Sequence, residues 1–166
     1  METQHTIRPA RQEDASRLAE ILIFAKRMAY RPIFRNDYVS FNVMQVLPLA
    51  LHYRDEADAL RDVFVYDDGI VKGMMSWGRS EEPQGRRELC ELYIDPCFQH
   101  EGVGARLIGH FTACAAADGM KTATLWVLEE NPQARCFYEK MGFAFDGNRK
   151  QFPGTEAWLM EYAKAL

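Results

Sequence analysis

The stretch from Glu88 to Ala105, ELCELYIDPCFQHEGVGA, carries the most chemistry in this sequence. An apolar run ends at Asp95-Pro96, a polar loop follows, and Gly102 and Gly104 then open a segment with Leu107, Ile108, Phe111 and Ala115 at helical spacing. Without a Cβ at positions 102 and 104 the backbone can approach an anion. The N–H groups of a helix's first turn point at such an anion, with the positive end of the helix dipole behind them. A phosphate suits this loop, although the two glycines would equally serve a tight strand-to-helix turn with no ligand. A dinucleotide fold wants a third glycine where Leu107 stands, and a nucleoside-triphosphate loop wants Lys-Ser or Lys-Thr where Ala105-Arg106 follows, so both of these phosphate loops are excluded.

Glu88 and Glu91 lie on the strand before the loop. An alkylammonium with a pKa of about 10 must lose a proton before its nitrogen can attack a carbonyl, so a carboxylate beside a reacting acyl group would have a task. The two glutamates face opposite sides of an ideal strand, a distinction that a bulge would cancel. Both also read simply as exposed strand carboxylates. Further on, Asn131 can cap a helix that has Pro132 at its first position, Ala134, Phe137, Tyr138 and Met141 on its inner face and Gly142 as its stop. By spacing alone Tyr138 is a core tyrosine. Cys97 lies beside the loop, but no histidine stands where it could activate a thiol. His100 could add a donor near phosphate, and Trp77, Trp126 and Trp158 read as core.

These residues need a scaffold, and 166 residues of which 48% are hydrophobic suffice for one substantial core, hence one α/β domain over residues 1–166. The formal charge of -4 does not favour a polyanion, so no nucleic-acid partner is expected. Met1 to Pro9 lacks a signal-peptide pattern, and no run of about eighteen apolar residues occurs, so a cytoplasmic protein with no membrane partner is expected. Cys90, Cys97, Cys114 and Cys136 show no CxxC spacing and read as free thiols. The four histidines form no HExxH pair, so no metal is expected.

Along the chain, the pattern predicts a strand at Thr6 to Arg8, then a helix offered a carboxylate cap by Glu13-Asp14, with Leu18, Ile21, Leu22, Ala25, Met28 and Ala29 on one face. Tyr30 to Asp62 reads as helix and loop. Val63 to Tyr66, the turn Asp67-Asp68-Gly69 and Ile70 to Trp77 form an antiparallel hairpin. Ser80 to Arg87 is a polar loop, Leu89 to Ile94 a strand, and Gly119 stops the helix after it. Thr122 to Leu128 is a buried strand. Phe143 to Phe145 and Thr155 to Tyr162 are two last strands, with Gly147 and Pro153-Gly154 as turn signals between them.

Gln99-x-x-Gly102-x-Gly104 after a strand ending in Asp-Pro resembles the pyrophosphate loop of the GNAT superfamily of N-acetyltransferases. Asn131-x-x-Ala134-x-x-Phe137-Tyr138-x-x-x-Gly142-Phe143 after a strand resembles that family's second signature, and Ile7-Arg8-Pro9-Ala10 its opening, so the resemblance covers nearly the whole chain. It implies a mixed, mostly antiparallel sheet flanked by helices, in which two neighbouring strands, 89–94 and 122–128, separate to admit the pantetheine arm of acetyl-CoA. Carried over, the backbone of Leu92, Tyr93 and Ile94 would hold the arm and acetyl carbonyl. Gln99, His100, Glu101, Gly102, Val103, Gly104 and Ala105 would hold the pyrophosphate, with Asn131 and Ala134 completing the cofactor site. Tyr138 would serve the departing thiolate, and Glu88, which falls where several members of the family keep a catalytic glutamate, would take the proton of the attacking amine, with Glu91 on the other strand face as the second candidate. The acceptor, a small amine, polyamine, aminoglycoside or peptide N-terminus, would enter across Tyr30 to Asp62 and the hairpin turns, where Tyr30, Phe34 and Tyr38 offer aromatic surface. Direct attack in a ternary complex is the expected mechanism. The alternative is a domain of the same fold that senses acyl-CoA without turnover. A homodimer is left open.

Overall fold

The computed structural model describes residues 5–56, 58–78 and 85–166. In chain order the elements are β1 (Thr6–Pro9), α1 (Ala15–Phe34), α2 (Val46–Asp55), β2 (Val63–Asp67), β3 (Val71–Trp77), β4 (Arg86–Ile94), α3 (Val103–Ala117), β5 (Thr122–Leu128), α4 (Pro132–Lys140), β6 (Ala144–Gln151) and β7 (Trp158–Ala165). They form the mixed α/β architecture expected, with a seven-stranded, mostly antiparallel sheet in the order β1-β2-β3-β4-β5-β7-β6. The pair β4–β5 is parallel, while β1–β2, β2–β3, β5–β7 and β6–β7 are antiparallel. Most of the polar stretch 80–87 lies outside the described residues, but Arg86 and Arg87 already belong to β4. No described helix is long and apolar enough to cross a membrane.

The chain divides into two compact units. Residues Met1–Ser76 and Glu91–Leu107 make up the first. Leu18, Ile21 and Leu22 of α1 pack with Val63, Val65, Met74 and Tyr53 in its core, each apolar side chain contributing about 1.5–3 kcal/mol by leaving water. The α1 face ends sooner than its spacing suggests, because Ala25 is buried whereas Met28 is 66% exposed. Beyond it α1 continues through Pro32 to a left-handed Arg35, and a π-helical turn at Val39–Val43 leads into α2. The segment Tyr30 to Asp62 is therefore more helical than a helix-and-loop reading implies. Pro48 sits in the first turn of α2, where its missing N–H costs nothing.

Asp14 does not cap α1. Its carboxylate accepts from the Arg11 amide, closing a short turn, and takes the Arg8 guanidinium at 2.7 and 2.9 Å. Arg8 reaches Asp67 of β2 at 2.9 Å with the same group, so one arginine ties the first strand, the entry to α1 and the first hairpin. Gly73 permits the closest packing: a Cβ there would lie 2.8 Å from Ile94, 3.0 Å from Val103 and 3.2 Å from Leu107, which brings the start of α3 down onto β3.

Trp77–Cys90 and Ile108–Leu166 form the second unit. Its core holds Leu125, Val127 and Leu128 of β5 with Phe111 and Tyr162. The β4–β5 ladder pairs Arg86 to Leu89 with Thr122 to Leu125, and β7 pairs with the full length of β5. β6 is longer than the sequence suggests, and β7 is as long as expected but runs three residues later. Gly147 lies inside β6, at φ +101° where the β6–β7 register shifts, and the reversal comes later, at residues 152–157. A glycine in a bulge and a glycine in a turn carry the same local signal, and only strand pairing separates them.

The Arg8 guanidinium holds the Asp14 carboxyl below the usual carboxylate range against the opposing effect of its burial. A depressed native pKa gives stability that is complete above the unfolded value of about 3.9 and is lost as pH falls through the native one. Asp14→Asn should therefore cost about 1–3 kcal/mol at pH 7 and flatten the fall in melting temperature below about pH 4. Melting curves from pH 3 to 7 check this, and equal acid slopes for both proteins would refute it.

Candidate active site

The loop after β4 is built on Asp95. Its carboxylate accepts from the Cys97 amide at 2.8 Å and pairs with Arg17 of α1 at 2.7 Å, while its own N–H donates to the Lys72 carbonyl. The turn this makes, Pro96–Phe98, leads to His100 at φ +66° and Gly102 at φ +81°. Two left-handed residues so close together reverse the chain into α3. The first amide of α3 with a carbonyl one turn back is Arg106, bonded to Gly102 at 3.1 Å. The N–H groups of Val103, Gly104 and Ala105 therefore head the helix as donors with no carbonyl in the preceding turn. Gln99, His100 and Glu101 thus lead directly into the start of α3, where these amides stand at the head of the helix.

Two cations at this loop are not evident from the glycine pattern. Arg106 donates to the Glu101 carbonyl at 3.0 Å, its Nη1 lying where a Gly102 Cβ would be. Lys72 of β3 pairs with Glu101 at 3.3 Å and with Asp68 at 2.8 Å, and lies over the Phe98 ring. Lys72 is distant in sequence, and only strand pairing brings it here.

Backbone bonds at the two ends of β4 bear on its carboxylates. Asp95 bonds to Lys72 and the Glu88 carbonyl accepts from Gly78. From Asp95 to Glu88 is seven steps along β4, whereas from Lys72 to Gly78 is six along β3. One extra residue therefore sits in β4, and Ser76 opposite Glu91 places it between Glu88 and Glu91. The parity argument that separates the two glutamates does not survive this.

Glu91 accepts from Ser76 Oγ at 3.3 Å and lies among phenols. Burial pushes the Tyr30 hydroxyl up, a hydrogen bond with Tyr93 opposes this, and the Glu91 charge adds to the rise. Burial and then the Glu91 charge likewise push Tyr53 up. Both phenols therefore stay protonated at neutral pH and face a carboxylate. Tyr53, Ser76 and the side chain of Tyr93 are absent from the sequence-level site. Tyr30 belongs to it only as aromatic surface, along with Phe34, which it meets edge-on, and Tyr38, which is 68% exposed.

In the second unit, Asn131 caps α4 as its type and place require, accepting from the Ala134 amide at 3.1 Å with Pro132 next to it. This engages the Asn131 carbonyl oxygen and leaves its NH₂ for other partners. Tyr138 is half-buried, meeting the rings of Phe137 and Phe143 edge-on at 5.3 and 6.2 Å. The position of α4 is fixed by Tyr162 of β7, whose hydroxyl donates to Glu139 and accepts from Arg135. Glu88 is half-buried and Cys90 exposed beside it. Among the described residues no three His, Cys, Asp or Glu side chains group as metal ligands.

Comparison with known proteins agrees with this arrangement. YuaI of Bacillus subtilis, an uncharacterized N-acetyltransferase, is 29% identical over 143 residues, which is 81% of this chain and 77% of that protein. An uncharacterized N-acetyltransferase of Methanocaldococcus jannaschii is 33% identical over 75 residues, 45% of this chain and 33% of its own length. Among solved structures, the PaiA N-acetyltransferase of Thermoplasma acidophilum in complex with coenzyme A has the same fold. Its TM-score is 0.71 at 21% identity, covering 98% of this chain and 99% of that one. YjaB of Escherichia coli, in its apo form, has a TM-score of 0.66 at 25% identity, covering 96% of this chain and 97% of that one. The family model for the acetyltransferase (GNAT) domain matches residues 59–144, more than half of the chain, and the chain therefore belongs to the GNAT acetyltransferases.

Proposed function

We propose that residues 1–166 form one N-acetyltransferase domain that moves the acetyl group of acetyl-CoA to an amine by direct attack in a ternary complex. The observation that carries this reading is the cradle at Gly102–Ala105, where three amide donors and a helix dipole meet beside Arg106 and Lys72. That donor set suits a pyrophosphate better than a monoanion, because several fixed N–H groups and two nearby cations can share its charge.

In this reading the backbone of Leu92, Tyr93 and Ile94 receives the pantetheine arm and acetyl carbonyl, and Asn131 offers its NH₂ to the arm beside Ala134. Glu91, or Glu88 through water, takes the proton from the attacking ammonium. The nitrogen's freed pair forms the C–N bond as the C–S bond breaks, the Tyr138 hydroxyl supplies a proton to the leaving thiolate, and the second proton that the nitrogen sheds as it becomes an amide returns to the Tyr138 oxygen through water. The products are an N-acetyl amide and CoA. An acyl-CoA sensor without turnover would need neither a carboxylate on the acceptor side nor a phenol placed for the thiolate, so catalysis is the better-supported reading. The protein acts in the cytoplasm.

Three outcomes test this. Saturating acetyl-CoA should raise the melting temperature, since a hundredfold excess over the dissociation constant adds about 2.7 kcal/mol. Gly104→Val should abolish the shift by filling the cradle, and no shift in the unsubstituted protein would remove the proposal. Tyr138→Phe should lower turnover about tenfold to a thousandfold with acetyl-CoA affinity kept, because the hydroxyl acts as the thiolate leaves. Unchanged turnover would return it to packing. Glu91→Gln should lose most activity near neutral pH and regain part of it as pH approaches about 10, where the free amine becomes abundant. With Glu88→Gln beside it, pH–rate profiles identify the base as the residue whose loss is rescued.

A further inference from the structure

The acceptor side of β4 holds two opposite charges that do not pair with each other. Glu91 takes the Ser76 hydroxyl, while Lys26 on α1 has one side-chain interaction among the described residues, its Nζ lying 5.5 Å from the centroid of the Tyr93 ring. Tyr93 is two residues beyond Glu91 on the same face of the strand, and Tyr30 is one helical turn beyond Lys26. Tyr93 lowers the pKa of the Tyr30 hydroxyl against the effect of its burial, so the two phenols act on each other. The order across the first unit is therefore cation, phenol pair, anion, with buried Tyr53 also in the field of Glu91.

We propose that this set selects a zwitterionic acceptor, a primary alkylammonium that also carries a carboxylate within a few bonds, with the ammonium at Glu91 and the carboxylate at Lys26. The inference rests on the acetyl-transfer reading and adds the substrate class to it. A primary ammonium has three N–H donors, and Glu91 offers it a charged acceptor, with the Ser76 oxygen beside that carboxylate and the Tyr30 and Tyr53 phenols in its field. The phenols keep their protons, so they add acceptors without adding negative charge. A lysine held only over an aromatic face can bind an anion without first breaking an ion pair. A diamine would bring a second cation to Lys26 and be disfavoured. The phenol pair lies between the protein's two charges, so the acceptor's ammonium and carboxylate bind at separate points, which suits amino acids and short ω-amino acids with two ends of opposite charge.

The test follows CoA release by the full chain at fixed acetyl-CoA with glycine, β-alanine and γ-aminobutyrate, the amide of each, and putrescine. Acetyl-CoA melting shifts are measured alongside. The best zwitterion should exceed its own amide at least about tenfold in kcat/KM, the value of one charge-assisted contact. Lys26→Met should bring that ratio near one, and Lys26→Glu should turn the preference toward putrescine. Should either variant fail to fold, the unsubstituted protein's zwitterion-to-amide ratio decides alone. If acetyl-CoA stabilises the protein but acid and amide react equally, putrescine reacts best, or no zwitterion reacts, the substrate assignment is overturned and acetyl transfer stands. If acetyl-CoA gives no shift and no amine releases CoA, the acetyl-transfer reading fails and takes this one with it.

Discussion

A single buried carboxylate sets the geometry on which the cofactor side of this protein depends. Asp95 is 5% exposed, and burial alone would favour its neutral form. The Cys97 amide and the Arg17 guanidinium outweigh that, holding its pKa below the ordinary range so that it remains an anion. Each partner fixes something different. The Cys97 bond tightens the turn after β4, Arg17 ties that turn to α1, and the Asp95 amide ties it to Lys72 of β3. Arg17 also donates to the Val71 carbonyl, so the same guanidinium clamps the start of β3. Charge-assisted bonds of this kind contribute about 1.5–3 kcal/mol each. The larger consequence is positional, since the amides of Val103 to Ala105 can point together only if the loop before them has one shape.

The acceptor side rests on a register change. An extra residue in β4 breaks the alternation that would otherwise send Glu88 and Glu91 to opposite faces, and Glu91 comes to lie with Ser76, Tyr30 and Tyr53. A bulge costs ladder hydrogen bonds, and such irregularities in strands are tolerated where they re-aim a side chain. The ion pairs of Arg8 and Arg17 stabilise the surrounding unit, and among the described residues none of these ion pairs includes Glu91.

Much of this was legible in the sequence. Local rules gave the hairpin at Asp67–Gly69, strand β5 to the residue, the Asn131 cap with Pro132 after it, and the Gly119 and Gly142 stops, because each depends on residues within one turn or one strand. Two motifs in order gave the family, and the glycines after Asp95 gave the turn into α3. Local patterns were misleading where two structures share one signal: Asp14 has a cap's composition but serves Arg8, Gly147 looks like a turn but sits in a bulge, and Met28 has the period of a core residue but faces out.

What only the tertiary structure decided are the partnerships between distant segments. Lys72 and Arg106 at the loop, the extra residue in β4, and the gathering of Lys26, Tyr30, Tyr53, Ser76, Glu91 and Tyr93 all depend on which strand pairs with which and in what register. Side-chain periodicity constrains each segment against solvent, and that is enough to say which face is inside. It carries no information about the residue opposite, because pairing energy is spread over backbone groups that every sequence shares, and the choice of neighbour is made by the whole core at once.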